Sequence, residues 1–208
     1  MGFHSFWLPE NHFGGPASLP SPLMLLAGVA SRTSKIGLGS TSYLLPIRHP
    51  LQAAEEVAVL DRMSGGRVIL GVGRGFQPAM FTAYGVDPKE KRKLFKANLT
   101  QMISAWQGEP VASHENEDVI LAPLPVQQPH PPIWVAAFGP LALKQAGSLG
   151  LPYLASPVET LKSLKENYSR HRDAFIAAGH SKKVAVPVMR TLFVSKRPKR
   201  VQAVKDVL

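Results

Sequence analysis

The sequence contains no cysteine, so disulfide bonds and thiolate metal sites are excluded, and no metal site of any kind is expected. It has no apolar run near the roughly 20 residues that a membrane span needs. Its first four residues have neither the basic nor the apolar region of a signal peptide. We therefore expect a cytoplasmic protein without membrane contact. The 208 residues, 45% of them hydrophobic, suffice for one globular domain with a sizeable core.

Acidic residues are scarce, with 14 Asp and Glu against 24 Lys and Arg and a net charge of +10. The excess is uneven, because eight Lys and Arg residues fall within residues 182–208, where Asp206 is the only acid. A basic run such as residues 196–200 is typical of a solvated face or a frayed chain end. The run has neither interleaved aromatic residues nor a known nucleic-acid module, so we expect no nucleic-acid partner.

Short apolar runs alternate with helical patterns along the chain. Six runs predict strands, at residues 5–8, 35–45, 67–72, 133–138, 153–156 and 184–194. Five stretches with helical spacing predict helices, at residues 23–31, 51–63, 90–106, 141–148 and 158–178. Such alternation is typical of an α/β fold with parallel strands and right-handed crossovers. The proline-rich residues 107–132 form an unusually long connection, which is often functional.

A glycine-rich turn follows the third predicted strand. Pro50 can occupy the first turn of the preceding helix, and Gly65 and Gly66 can end it with positive φ angles. After the buried strand come Gly73-Arg74-Gly75. These glycines expose backbone N–H groups, and the planar guanidinium suits phosphate oxygens. The turn therefore predicts a site for a phosphorylated ligand.

The glycine-rich turn has two other interpretations. A dinucleotide-binding fingerprint would place its third glycine at Phe76, and the acid expected further on is offered only by Asp87 and Glu90 in a lysine-rich stretch. That interpretation is set aside. The second, in which Arg74 pairs with a carboxylate at a strand end, stays open.

Four segments together carry a family resemblance. They are Glu10-Asn11-His12-Phe13, residues 39–42 with Arg48-His49-Pro50, residues 64–75, and residues 132–137. Their order and spacing resemble the bacterial luciferase-like flavin monooxygenases. The resemblance implies a (β/α)8 TIM barrel that binds flavin mononucleotide (FMN), or a deazaflavin instead, at the carboxyl ends of its strands. It also implies oxidation of a small organic substrate by oxygen and reduced flavin.

The resemblance assigns cofactor contacts by position. The phosphate arginine of the family matches Arg74, with the backbone of Gly73, Gly75 and Phe76 beside it. The strand against the flavin ring matches Ser40, Thr41 and Ser42, which puts a non-proline cis peptide at Thr41–Ser42. On a simpler interpretation, Ser40 and Ser42 only cap a strand end. The family's hydroxyl residue after the fifth strand is replaced by Phe138-Gly139-Pro140, so phosphate contacts there would come from backbone N–H groups.

The predicted catalytic residues are Asn11 and His12. Luciferases carry two histidines after the glutamate, and Asn11 replaces the first, although an amide cannot shuttle a proton. His49, just before Pro50, is expected to cap a helix rather than perform chemistry.

The chain is expected to be a single barrel domain, residues 1–208, without the family's first βα unit and last strand, so that six of eight strands are present. We expect a homo-oligomer, with a flavin reductase as a possible partner. The alternative to an enzyme is a non-catalytic flavin-binding or interaction protein built on a truncated barrel.

Overall fold

The computed structural model describes residues 2–181, 184–190 and 192–206. Eight strands are formed: β1 (Ser5–Leu8), β2 (Gly37–Ser40), β3 (Tyr43–Leu44), β4 (Val68–Gly73), β5 (Ala112–His114), β6 (Glu117–Val119), β7 (Ile133–Ala136) and β8 (Tyr153–Leu154). Seven α-helices accompany them: α1 (Pro22–Ala30), α2 (Pro50–Ser64), α3 (Pro78–Ala83), α4 (Lys91–Trp106), α5 (Pro140–Ser148), α6 (Leu161–Ala177) and α7 (Pro198–Lys205). The 3-10 turn Leu45–Ile47 precedes α2. In the described ranges, no helix combines the length and apolar character of a membrane span.

Six of the strands form one parallel sheet. Its order is β1-β2-β4-β7-β8, and the short β3 also pairs with β4. Each long crossover carries a helix that packs on the outer face of the sheet, as right-handed βαβ connections require. Within the described residues the sheet ends at β1 and β8, so the barrel is open. The predicted α/β fold of the TIM-barrel type is confirmed as an incomplete barrel.

The hydrophobic core lies between the sheet and the helices. Alternate residues of β4 and β7 point outward into it, and α4 contributes a buried stripe at helical spacing. These core residues are Val68, Leu70, Val72, Ile133, Val135, Phe95, Leu99, Met102 and Trp106. The stripe on α4 follows from the sequence pattern, because residues at i, i+4, i+7 and i+11 share one helix face.

The inner face of the sheet carries two tryptophans. The rings of Trp7 and Trp134 stack with centroids 4.9 Å apart and planes 19° from parallel. Gly39 leaves space for this pair, since a Cβ there would overlap the ring of Trp7. Gly39 is thus explained by the close approach of the Trp7 side chain to the backbone of β2.

The ends of α2 are those that the sequence predicts. Pro50 is the first helical residue, and Gly65 ends the helix with a φ of 66°. Helix α6 begins later than predicted, at Leu161 rather than residue 158. The reason is that the Thr160 hydroxyl accepts from the N–H of Ser163 at 3.1 Å and caps the helix.

Several predicted elements were wrong. Residues 35–45 are not one strand, because the chain breaks at Thr41 and Ser42 between β2 and β3. Residues 184–190 and 192–194 form no strand and make only an isolated bridge, from Val188 to Ala155. The sixth strand of the sheet is instead the short β3. Thr191, within the predicted strand, lies outside the described residues.

Three elements were missed. The long connection at 107–132 contains the β5–β6 hairpin, whose turn residues Glu115 and Asn116 have φ angles of 51° and 66°. Helix α3 follows the glycine-rich turn. Helix α7 forms in the basic tail and buries none of its residues, which agrees with a solvated face. Lys182 and Lys183 of the basic region lie outside the described residues.

Candidate functional site

A cavity of about 510 Å³ opens at the carboxyl ends of the parallel strands. Its size falls within the range of small-molecule sites, roughly 300–1,000 Å³. Eleven of the twelve predicted site residues line it: Asn11, His12, Thr41, Ser42, Gly73, Arg74, Gly75, Phe76, Phe138, Gly139 and Pro140. The sequence positions therefore converge, because the loops after neighbouring parallel strands meet at one edge of the sheet.

Ser40 is the predicted site residue that the cavity does not include. Its side chain is buried, and its hydroxyl donates to the Gly71 carbonyl at 2.9 Å, which ties β2 to β4. The neighbouring Thr41–Ser42 peptide bond is cis, at the position the resemblance implies. Thr41 and Ser42 both reach the cavity wall. Gly73 lies beside them, because a Cβ at that position would overlap the Ser42 side chain.

One end of the cavity is cationic. The Arg74 guanidinium is half-buried and donates to two neutral acceptors, the Ala136 carbonyl and the Gln145 side chain, each at 3.1 Å. Among the described residues, no carboxylate lies within ion-pair distance of it. The interpretation that Arg74 pairs with an acid at a strand end is therefore wrong in this part of the chain.

The electrostatics of Arg74 suit an anion. Burial, and then the nearby charge of Arg92, lower the pKa of Arg74 to about 10, so the side chain remains a cation at neutral pH. Lys91 and Arg92, at the start of α4, also line the cavity. A half-buried cation beside like charges is unfavourable unless an anion neutralises it.

Backbone groups can complete an anion site at this end. Helix α5 begins at Pro140, which has no N–H, and the N–H groups of Ala142 and Leu143 donate to the Gly139 carbonyl. The amides of Gly139 and Leu141 are therefore the donors that the first turn can offer. Gly75 adds a tight backbone turn with a φ of 72°. The residues present fit a phosphate group.

A second polar region of the cavity wall is built around Glu10. This buried carboxylate is 2.7 Å from both the Arg48 guanidinium and Nε2 of His12, and it accepts from the Leu44 N–H at 3.0 Å. Arg48 in turn lies 4.0 Å above the ring of Tyr43. The charges of Glu10 and Arg48 therefore neutralise each other within the protein.

Asn11 and His12, which follow Glu10 in the chain, have different hydrogen-bond partners. The Asn11 side-chain oxygen accepts from the N–H of Leu19 at 2.6 Å, so the amide holds the loop after β1. Nδ1 of His12 is 3.2 Å from the Tyr84 hydroxyl. His49 occupies the N-cap position of α2, but its side chain makes no capping hydrogen bond, so the expected capping role was wrong.

Comparison with known proteins agrees with this geometry. A family model described as luciferase-like monooxygenase matches residues 1–206. The chain belongs to this luciferase-like monooxygenase family. The match spans both polar regions of the cavity wall, from the Glu10 loop to the turn at Arg74 and the start of α5.

Relatives of this luciferase-like chain include enzymes with named substrates. The oxygenase component of a flavin-dependent trigonelline monooxygenase from Acinetobacter baylyi is 31% identical over 67% of this chain and 40% of its own length. The monooxygenase RslO1 from Streptomyces bottropensis superposes with a TM-score of 0.77 at 30% identity, over 88% of this chain and 57% of that one.

A third relative uses a different cofactor. The coenzyme F420 dependent tetrahydromethanopterin reductase from Methanopyrus kandleri gives a TM-score of 0.65 at 26% identity, over 84% of this chain and 54% of that one. The luciferase-like chain spans about half the length of the curated relatives it matches.

Sequence reasoning missed several residues of the luciferase-like site. Lys91 and Arg92 belong to a lysine-rich stretch to which the sequence analysis gave no role, and only the fold brings them to the cavity that Arg74 lines. Gln145 and Tyr84 had no sequence signal. The side-chain pairing of Glu10 with Arg48 joins two motifs that the resemblance had quoted separately.

Proposed function

We propose that this chain forms the cofactor-binding part of a flavin-dependent monooxygenase that uses reduced FMN and oxygen on a small organic substrate. The observation that carries the proposal is Arg74, a half-buried cation that lines the cavity with neutral hydrogen-bond partners and Arg92 nearby. A phosphate would supply the missing negative charge. When bound, the flavin would supply the oxygen chemistry, and the protein would supply orientation and a shaped cavity.

The chain's own residues divide the work of binding. Arg74, Arg92 and the amides at the start of α5 hold the phosphate at the cationic end. Thr41 and Ser42, which follow β2 on the cavity wall, support the flavin ring. Apolar side chains of the wall, including Leu44, Met80 and Leu154, keep water from the ring.

Partners follow from the same proposal. A flavin-dependent oxygenase needs its flavin reduced, and the Acinetobacter baylyi relative is described as an oxygenase component. We therefore propose a separate flavin reductase as a partner. We also propose a homo-oligomer, because β1 and β8 leave sheet edges open within the described residues.

A deazaflavin is the second candidate cofactor. The Methanopyrus kandleri relative depends on coenzyme F420 and is 26% identical to this chain. The cationic end of the cavity suits any phosphorylated flavin, so the two candidates share the role of Arg74. Direct titration of both cofactors separates them.

The test of the proposal is a pair of titrations on the Arg74→Ala variant. Charge-assisted hydrogen bonds contribute about 1.5–3 kcal/mol, so the variant should bind FMN roughly 10- to 100-fold more weakly. Riboflavin, which lacks the phosphate, should bind with nearly unchanged affinity. Arg32→Ala, which removes an exposed arginine after α1, is the matched control and should change neither affinity. Equal losses for both ligands would contradict the phosphate assignment.

A further inference from the structure

A line of hydrogen bonds runs from the cavity wall to the protein surface. Glu10 and His12 are buried and line the cavity, with Nε2 of His12 at 2.7 Å from Oε1 of Glu10. On the other side of the ring, Nδ1 is 3.2 Å from the hydroxyl of Tyr84. Tyr84 itself is 45% exposed. A buried imidazole is therefore connected to solvent through one hydroxyl.

The partners of His12 determine its tautomer. The Glu10 carboxylate accepts hydrogen bonds from Arg48 and from the Leu44 N–H, so it faces Nε2 as an acceptor. Nε2 must then carry the proton. Nδ1 is left with a lone pair, and the Tyr84 hydroxyl can only donate to it. The hydroxyl meets the imidazole at its edge, since the two ring planes are 79° apart.

We propose that Tyr84, His12 and Glu10 form a proton relay between solvent and the cofactor cavity. Nothing in the sequence motifs assigns a role to Tyr84, which follows α3 in the chain. Asn11, at the position where luciferases have a histidine, is held by Leu19 and cannot carry a proton. The inference rests on the proposed function, because it concerns proton supply to that same cavity.

The proton step balances within these groups. A proton from solvent bonds to the Tyr84 oxygen as the hydroxyl proton leaves that oxygen for Nδ1 of His12. Tyr84 remains neutral, and His12 becomes an imidazolium. The Glu10 carboxylate, 2.7 Å from Nε2, stabilises the new positive charge. The imidazolium then gives its Nε2 proton to Oε1 of Glu10, which returns His12 to its neutral state. Glu10 lines the cavity and can pass this proton to a group there.

Glu10 carries the proton in this relay, and Arg48 is the positioning residue that holds Glu10. Arg48 approaches Oε1 at 2.7 Å and also donates to the Leu44 carbonyl at 2.8 Å, so the carboxylate cannot turn away from the imidazole. The loop after β1 and the 3-10 turn before α2 are thereby locked together.

The first test reads the tautomer in the protein without cofactor. Long-range ¹H–¹⁵N correlation on histidine-labelled full chain should show His12 with its proton on Nε2. Tyr84→Phe should move the Nδ1 resonance toward that of a nitrogen without a hydrogen bond. Tyr168→Phe, an exposed tyrosine on α6, is the control and should leave the resonance in place. A proton on Nδ1 in the wild-type chain, or no shift in Tyr84→Phe, would overturn the relay.

The second test follows the re-oxidation of bound reduced FMN by oxygen. At low buffer concentration, Tyr84→Phe should slow absorbance recovery about 10-fold or more, since positioned proton transfer accelerates reactions by roughly 10²–10⁴. Added imidazole should restore the rate by carrying protons in place of the hydroxyl. A normal rate in weak buffer, or a slow rate that imidazole does not raise, would overturn the relay.

The two tests separate this inference from the proposed function. FMN affinity should be unchanged in Tyr84→Phe, because Tyr84 is not among the residues that line the cavity. If FMN fails to bind the wild-type chain, the proposed function fails. The tautomer measurement still decides the relay geometry in that case.

Discussion

Arg48 and Arg74 both follow strands of the same parallel sheet, yet their surroundings differ. Arg48 faces the buried Glu10 carboxylate at 2.7 Å and lies 4.0 Å above the Tyr43 ring. Arg74 has two neutral acceptors, and burial and Arg92 lower its pKa. The protein thus neutralises one cation itself and leaves the other for a ligand. An arginine indicates an anion site only when its own counter-charge is missing.

The largest expected effect comes from removing the negative charge of Glu10, which neutralises Arg48. Glu10→Gln leaves Arg48 partly buried without a counter-charge, and such losses cost about 3–5 kcal/mol. Urea unfolding should show a fall in the free energy of unfolding of this order. Glu55→Gln, an exposed change on α2, should stay within about 0.5 kcal/mol of the wild type. A similarly small change for Glu10→Gln would mean that the two arginines do not differ as described.

The next effect concerns the cationic end. We expect inorganic phosphate to bind at Arg74 in the folded protein and not to the unfolded chain, so at ten times its Kd it should stabilise the fold by about 1.4 kcal/mol. For a chain of this size that corresponds to a rise in Tm of roughly 3–5 °C. Thermal unfolding at constant ionic strength measures it, with chloride as the reference anion. Arg74→Met should abolish the rise, whereas a rise that persists in this variant would locate the anion elsewhere.

A smaller effect is expected from Arg92, which reaches the cavity from a more exposed position than Arg74. Arg92→Ala should weaken FMN binding about 3- to 10-fold, in line with a partly screened charge. Riboflavin affinity should not change. Lys93→Ala, next in sequence and outside the cavity lining, is the control in the same titration. A loss for riboflavin as large as for FMN would show that Arg92 acts on the ring or on folding.

The smallest expected effect is on the protein without ligand. Arg74→Met removes a half-buried cation that has no acidic partner in the described residues, so it should leave stability unchanged or raise it by about 1 kcal/mol. Chemical denaturation in phosphate-free buffer is the measurement. A clear loss of stability would show that Arg74 holds the loop after β4 through Ala136 and Gln145, with ligand binding secondary.

Much of this architecture could be predicted from local signals. The ends of α2 follow from Pro50 and Gly65, and the buried strand β4 follows from an apolar run before Gly73. The stripe on α4 has clear helical spacing. These features depend on residues that are close together in the sequence. One amino-acid sequence is therefore enough to predict them.

Other features depend on contacts that sequence does not show. Residues 35–45 read as one strand, but Ser40 and Gly71 join β2 to β4 just before the chain turns into β3. The buried face of α6 is not the one that its apolar residues alone indicate: Leu161 and Tyr168 are exposed, and the buried residues are Asn167, His171 and Phe175. His171 is buried because its Nε2 bonds to the Leu151 carbonyl at 2.8 Å, which no periodicity predicts.

The site also contains both kinds of feature, those that local sequence predicts and those that depend on distant contacts. Motifs with a family resemblance gave most cavity-lining residues, because each lies directly after a strand. The partners of those residues were not visible. Arg92 lines the cavity from a helix, whereas Gln145 and Tyr84 lie behind the lining and bond to Arg74 and His12. Ser40 was assigned through the family resemblance, but its hydroxyl bonds to the Gly71 carbonyl instead.

The stacked pair of Trp7 and Trp134 gives the protein an optical signal of its own. Two indoles with centroids 4.9 Å apart and nearly parallel planes couple electronically, so the near-ultraviolet circular dichroism should carry a paired band. Thr41 and Leu154 border both this pair and the cofactor cavity. A bound flavin would therefore accept excitation energy from the indoles and quench their fluorescence. The third tryptophan, Trp106, donates to the Ala54 carbonyl in the outer core and would contribute a steady background.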